Sequence, residues 1–196
     1  MANPDPRIVT NPDSRIAAPR WLLWAAAAAL VVAALLVVID SQQHIDFAPL
    51  LDRPAPGFAL PLLGDADRRQ GLRRGPQDSR GRVLLLHFWA PSCQPCVEEL
   101  EQWQAIERDG RRHGYDVLLV GGDDTEALLP LLRAKAPGVP AVVDATGSGF
   151  SAFGINGIPA TVVIDGKGIV RQFLQGRRTP AAYAAAAKRY VGEVRR

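Results

Sequence analysis

Two apolar patterns divide this chain. From Trp21 to Ile39, 19 consecutive residues are Trp, Leu, Ala, Val or Ile, with no charge and no polar face. From Val83 onward, short apolar runs alternate with stretches whose apolar residues recur at helical spacing. Val83-Leu84-Leu85-Leu86 and Val117-Leu118-Leu119-Val120 are continuous, as expected of strands covered on both faces. Between them, Cys93, Cys96, Val97, Leu100 and Trp103 fall within roughly a third of the circumference of a helix. Gly110 and Gly114 bracket the expected end of that helix. A second helix is expected over Asp124–Lys135, broken or kinked at Pro130, with a short strand over Val139–Val143. Thr161–Ile164 and Ile169–Leu174 flank Asp165-Gly166-Lys167-Gly168, a hairpin signature. Thr179-Pro180 then opens an Ala-rich helix running to about Gly192. The order is βαβα followed by a hairpin and a helix, which one domain over residues 81–196 accommodates.

The run 21–39 is long enough, at about 1.5 Å per residue, for the roughly 30 Å core of a bilayer. It ends Ile39-Asp40-Ser41-Gln42 without a small-x-small cleavage site, so the pattern is that of a retained anchor, not a signal peptide. Arg7, Arg15 and Arg20 precede it, while Asp40 and Asp46 follow with no Lys or Arg before Arg53. The positive-inside rule places residues 1–20 in the cytoplasm and exports everything after the span. Residues 40–80 read as a tether and lead-in segment. Phe58-Ala59-Leu60 marks a candidate strand start, and Gly64–Arg82 a solvated, Arg-rich irregular loop.

Composition narrows the function. Of 196 residues, 47% are hydrophobic and 22% charged, which excludes a disordered chain or a coiled coil. The net charge of +3 comes from 23 basic against 20 acidic residues, interspersed, and gives no footprint for nucleic acid. Cys93 and Cys96 are the only cysteines, so neither a disulfide scaffold nor a four-cysteine zinc site can form.

The chemistry therefore concentrates in Cys93-Gln94-Pro95-Cys96. A two-residue spacer brings both sulfurs together across a first helical turn. There the unpaired N–H groups and the helix dipole favour thiolate at the first cysteine. That thiolate attacks disulfides, and the second cysteine resolves the mixed disulfide. Pro95 is tolerated, because a first-turn N–H has no helical partner.

The string His87-Phe88-Trp89-Ala90-Pro91-Ser92-Cys93-Gln94-Pro95-Cys96 resembles the active-site pattern of the thioredoxin fold. Gly154-Ile155-Asn156-Gly157-Ile158-Pro159-Ala160-Thr161 resembles its cis-proline loop. Ala55-Pro56-Gly57-Phe58-Ala59-Leu60-Pro61 resembles the start of the membrane-anchored TlpA/ResA-like group. The resemblance covers about residues 54–192. It implies an α/β, thioredoxin-like fold, a central mixed sheet flanked by helices, behind an N-terminal transmembrane helix. It also implies a thiol–disulfide oxidoreductase on the periplasmic side of a bacterial inner membrane. No cofactor is implied beyond a redox-active Cys93–Cys96 disulfide. The implied partners are exported proteins with thiols or disulfides, including those of cytochrome c and copper-site maturation, and a membrane electron donor. Pro159 is the implied cis-proline beside the disulfide. Three positions depart from the pattern: Ser92 for an aromatic, His87 for a buried acid or Asn, and Ala160 for a Glu.

His87 has two readings, a neutral core histidine or a proton relay for Cys96. Glu99 matches a position often acidic in the group, and equally suits a solvated first helical turn. Two other functions compete with disulfide exchange. A copper carrier would use Cys93, Cys96 and His87, but one Met and three His give it little support. A peroxidase of the peroxiredoxin type would carry Thr or Ser three residues before the attacking cysteine, where Ala90 stands.

Overall fold

A computed structural model describes residues 24, 28–33, 50–63, 72–122 and 125–192. The chain divides into a unit over 1–45 and a unit over 46–196. In the first, the described residues are helical and Trp24, Leu30, Val31 and Val32 are exposed. Most of the apolar run 21–39, and the tail before it, lie outside the described residues. Among the described residues, no helix is long and apolar enough to cross a membrane.

The second unit is built on strands β1 (Leu60–Leu63), β2 (Arg73–Arg74), β3 (Val83–Trp89), β4 (Tyr115–Gly122), β5 (Ala141–Asp144), β6 (Ala160–Ile164) and β7 (Val170–Gln175). They form one mixed sheet in the order β2-β1-β5-β4-β3-β6-β7. β3 is parallel to β4 and antiparallel to β6, and β4 is parallel to β5. Helices α1 (Gln94–His113), α2 (Thr125–Lys135), α3 (Ser148–Ala152) and α4 (Pro180–Val191) complete it. Every residue of β3 is buried, as its unbroken apolar run requires. Alternate residues feed two cores. Val83, Leu85, Trp89, Val117 and Leu119 pack with Leu100, Trp103 and Ile106 of α1, Leu128 and Leu132 of α2, and Tyr183 of α4. Leu84, Leu86, Phe88, Leu118 and Val120 pack on the other face with Phe153 and Ile155.

The lead-in segment is more ordered than its sequence suggests. β1 begins at Leu60 and pairs antiparallel with β5, while Leu50, Ala55 and Phe58 pack against the second core. Part of the expected Arg-rich loop is β2 and a 3-10 turn over Pro76–Ser79. The candidate strand start at Phe58-Ala59-Leu60 is realised as β1, while four residues of alternation are too few to show that its partner lies some 80 positions away.

The end of α1 lies between Gly110 and Gly114, as expected, and other boundaries moved for local reasons. α1 continues through Gly110 to His113 and stops at Gly114, whose φ of 89° is the left-handed helix cap that favours glycine. A Cβ at position 110 would stand 2.5 Å from the Tyr115 carbonyl oxygen, so this glycine permits close packing and ends nothing. Pro130 sits exposed inside α2 without breaking it. It removes one backbone hydrogen bond, and the buried Leu128 and Leu132 hold the turns on either side. The strand expected from Val139 starts instead at Ala141, because Pro140 has no N–H for the ladder. In the β6–β7 hairpin, the Asp165 carboxylate accepts from the Lys167 and Ile169 N–H groups and from Arg171.

Candidate active site

β3 is an interior strand, between β4 and β6, and delivers the chain, through the turn Ala90–Ser92, to the start of α1. Cys93 is the helix N-cap, with φ −91° and ψ 98°. Its sulfur accepts from the Cys96 N–H at 3.3 Å and is bonded to the Cys96 sulfur, with the two Cα atoms 5.2 Å apart. The two cysteines differ in access: Cys93 is half-buried, whereas Cys96 is fully buried among the α1 core residues.

The Ile158–Pro159 bond is cis and Pro159 is buried. The carbonyl oxygen of Ile158 lies 3.8 Å from the Cys93 sulfur, so this loop and the disulfide form one site. An open groove of about 480 Å³ continues from it, lined in part by Ala90, Gly122, Phe150, Asn156, Gly157 and Ile158. Ser92, Gln94 and Pro95 are exposed around the sulfurs. Among the described residues, no group of three or more His, Cys, Asp or Glu is arranged to hold a metal ion.

His87 lies on the α1 side of β3, fully buried, its ring 4.3 Å from that of Trp103. Nδ1 is 2.9 Å from the Thr161 hydroxyl on the neighbouring strand β6. Burial holds the imidazole pKa down to about 3, so the ring is neutral at neutral pH. Nε2 has no hydrogen-bond partner and faces Oε2 of Glu99 at 3.8 Å, an oxygen equally without one.

Glu99 is buried, not solvated. Its Oε1 accepts from the Tyr183 hydroxyl at 2.7 Å, the Gln102 amide at 2.9 Å and the Arg178 N–H at 3.2 Å. Burial raises its pKa, against the lowering effect of those donors and of the Arg177 charge. The signal for Glu99 was present in the spacing. On the helical wheel it lies roughly 40° from Trp103, inside the apolar arc. Nothing in the spacing pointed to Tyr183 or Thr161, which reach the site only through the packing of α4 and β6. His113 is exposed beside Asp109, and His44 lies outside the described residues.

Residues 51–173 match the AhpC/TSA family. The chain is 35% identical over 126 residues to the thiol:disulfide interchange protein DsbE of Allochromatium vinosum, an alignment covering 63% of this chain and 66% of that protein. It is 23% identical over 130 residues to the thiol-disulfide oxidoreductase ResA of Bacillus thuringiensis subsp. konkukian, covering 66% and 72%. The chain thus spans just under two thirds of the length of that DsbE relative. The thioredoxin domain of a thiol-disulfide oxidoreductase from Bacteroides vulgatus superposes with a TM-score of 0.61, covering 72% of this chain and 97% of that one at 17% identity. The α/β architecture expected from the resemblance is therefore the one observed, a thioredoxin-like fold with a mixed sheet. With its family match spanning the lead-in segment, β3, the disulfide and the β6–β7 hairpin, this chain belongs to the AhpC/TSA family.

Proposed function

We propose that this protein is a thiol–disulfide oxidoreductase that exchanges disulfides through Cys93 and Cys96. The observation that carries the reading is the asymmetry of the pair. A half-exposed sulfur caps a helix N-terminus, and its bonded partner is fully buried. In the reduced protein, the N-terminal N–H groups favour the Cys93 thiolate, which attacks one sulfur of a substrate disulfide. The substrate's other sulfur leaves as a thiolate, and a mixed disulfide remains on Cys93. Cys96 then gives up its proton and attacks the Cys93 sulfur. The Cys93–Cys96 bond forms, the substrate leaves as a thiol, and two electrons have passed to it. His87 serves this second step together with the buried Glu99 carboxylate that it faces, as a proton-accepting pair, and the Pro159 loop holds the substrate backbone beside the sulfurs. The redox group is the disulfide itself, without a further cofactor.

The charge asymmetry around residues 21–39 supports a single span with the C-terminal domain in the periplasm. In that setting the protein acts as a reductant of exported proteins. Immature cytochrome c and copper-site proteins are the substrates nominated by the resemblance, and a membrane donor regenerates the dithiol. The test is reduction of insulin by dithiothreitol, followed as turbidity. The wild-type protein accelerates it and Cys93→Ser abolishes the acceleration. Equal acceleration by both proteins overturns the reading.

A further inference from the structure

The α4 helix lies outside the strand–helix unit that carries the cysteines, yet it sends one side chain into their neighbourhood. Tyr183 is fully buried, and its hydroxyl donates to Glu99 Oε1 at 2.7 Å. Glu99 follows Cys96 by three residues on the same buried face of α1, which makes the two side chains neighbours. The donors to Glu99 are divided unevenly. Oε1 receives three and Oε2 receives none, while Oε2 and the equally unpartnered Nε2 of His87 face each other at 3.8 Å. Two buried polar atoms left without partners, and aimed at one another, are costly unless a proton comes to lie between them.

Resting on the thiol–disulfide reading above, we propose that Tyr183 is a positioning residue for the resolving step: it anchors Glu99 through Oε1 so that Oε2 and the His87 imidazole together accept the Cys96 proton. In that step the Cys96 thiol gives its proton to this pair. The Cys96 thiolate attacks the Cys93 sulfur, the Cys93–Cys96 bond forms, and the Cys93–substrate bond breaks. The substrate sulfur departs as a thiolate and is protonated by solvent. The Thr161 hydroxyl on Nδ1 can rotate between donor and acceptor, which lets the imidazole adjust its own hydrogen as the proton arrives. Gln102 donates to Glu99 Oε1 and lines a surface pocket of about 430 Å³ with Arg177, Arg178, Thr179 and Pro180, so solvent, the eventual acceptor of the proton, stands one side chain away from the carboxylate.

The ionisable groups facing Glu99 are His87 from β3, Tyr183 from α4, and Arg177 from the loop before α4. Of these, Tyr183 donates directly to the carboxylate and so favours its ionised, proton-accepting form. Loss of that hydroxyl raises the pH at which the pair becomes competent by about one unit, the value of one hydrogen bond to a charged group. The experiment is stopped-flow measurement of mixed-disulfide resolution across pH 5 to 9 in wild type, Tyr183→Phe, Gln102→Leu and Tyr115→Phe. Tyr115 is the control, because its buried hydroxyl donates to the Asp109 carboxylate at the far end of α1. Tyr183→Phe shifts the rise of the resolution rate to higher pH, with the rate of first attack unchanged. Gln102→Leu, at a half-buried position that removes a second donor to the same oxygen, shifts it the same way. It carries the test alone if Tyr183→Phe does not fold. Tyr115→Phe follows the wild-type curve. Superposition of the Tyr183→Phe curve on wild type, or, where that variant does not fold, of the Gln102→Leu curve, overturns the proposal, and so does an equal shift in Tyr115→Phe. These outcomes require a wild-type protein that exchanges disulfides, whereas failure of the thiol–disulfide reading leaves wild type without any resolution phase.

Discussion

Cys93 and Cys96 are three residues apart and live in different media, one at the edge of water and one inside the core. On the proposed reading, that difference decides which sulfur meets a substrate and which must lose its proton in a dry setting. His87 shares the dry setting and makes its own contribution to stability. Its folded pKa of about 3 lies below the usual 6.5, so the unfolded chain binds the proton more readily. Stability from this residue is complete above pH 6.5 and is lost as pH falls toward 3, by about 2 kcal/mol between pH 6.5 and 5. Glu99, whose pKa is raised, runs the other way, gaining stability as pH falls through its own range. The two are separated by substitution. Denaturant unfolding of His87→Asn at pH 7 and pH 5 is expected to show a smaller acid loss than wild type, and an equal loss in both proteins contradicts this account. At this scale the sequence was informative about residues close in the chain. The nearness of the two cysteines follows from their spacing, and the burial of His87 from its place in an apolar strand. Glu99 Oε1 accepts from Tyr183 and from the Arg178 backbone, more than 75 residues away, and no local pattern encodes that.

Elements position the site by meeting at β3. The parallel β3–β4 pair fixes where α1 starts, and the antiparallel β6 carries both Thr161 and the Pro159 loop to the same end of the sheet. The hairpin that holds β6 turns on Asp165. Burial pushes the pKa of that carboxyl up, but the hydrogen bonds from the Ile169 N–H, Arg171 and the Lys167 N–H outweigh it and leave the pKa below the usual range. Arg171 also reaches Asp52, and the Asp52 N–H and Arg53 carbonyl bond to Val170, which ties the lead-in segment to β7. Asp165→Ala is therefore expected to destabilise the domain by about 2 kcal/mol, the value of losing charge-assisted hydrogen bonds at a partly buried turn. A change below about 0.5 kcal/mol in urea unfolding contradicts it. The hairpin was legible because Asp-Gly-Lys-Gly is a local turn signal. The start of β1 was marked at Phe58-Ala59-Leu60, but β2 and the partners of both strands were not, since their stability comes from pairing with β5 and with each other.

At the scale of the whole molecule, the domain over residues 46–196 is a sheet covered on both faces. Its cysteine pair sits just past the end of the interior strand β3, and the lead-in segment covers part of the second face. In the proposed function, the apolar run 21–39 is a tether that sets where the domain works, and the chemistry belongs to the two sulfurs. The central claim is that Cys93 attacks and Cys96 resolves. Trapping measures this directly: reduced Cys96→Ser protein is mixed with a disulfide-linked peptide, quenched in acid and weighed by mass spectrometry. The account predicts a stable adduct of one peptide on Cys93, released by dithiothreitol, while wild type passes through it to the Cys93–Cys96 disulfide and free peptide thiol. Absence of the adduct in Cys96→Ser, or its equal formation on Cys96 in Cys93→Ser, would contradict it.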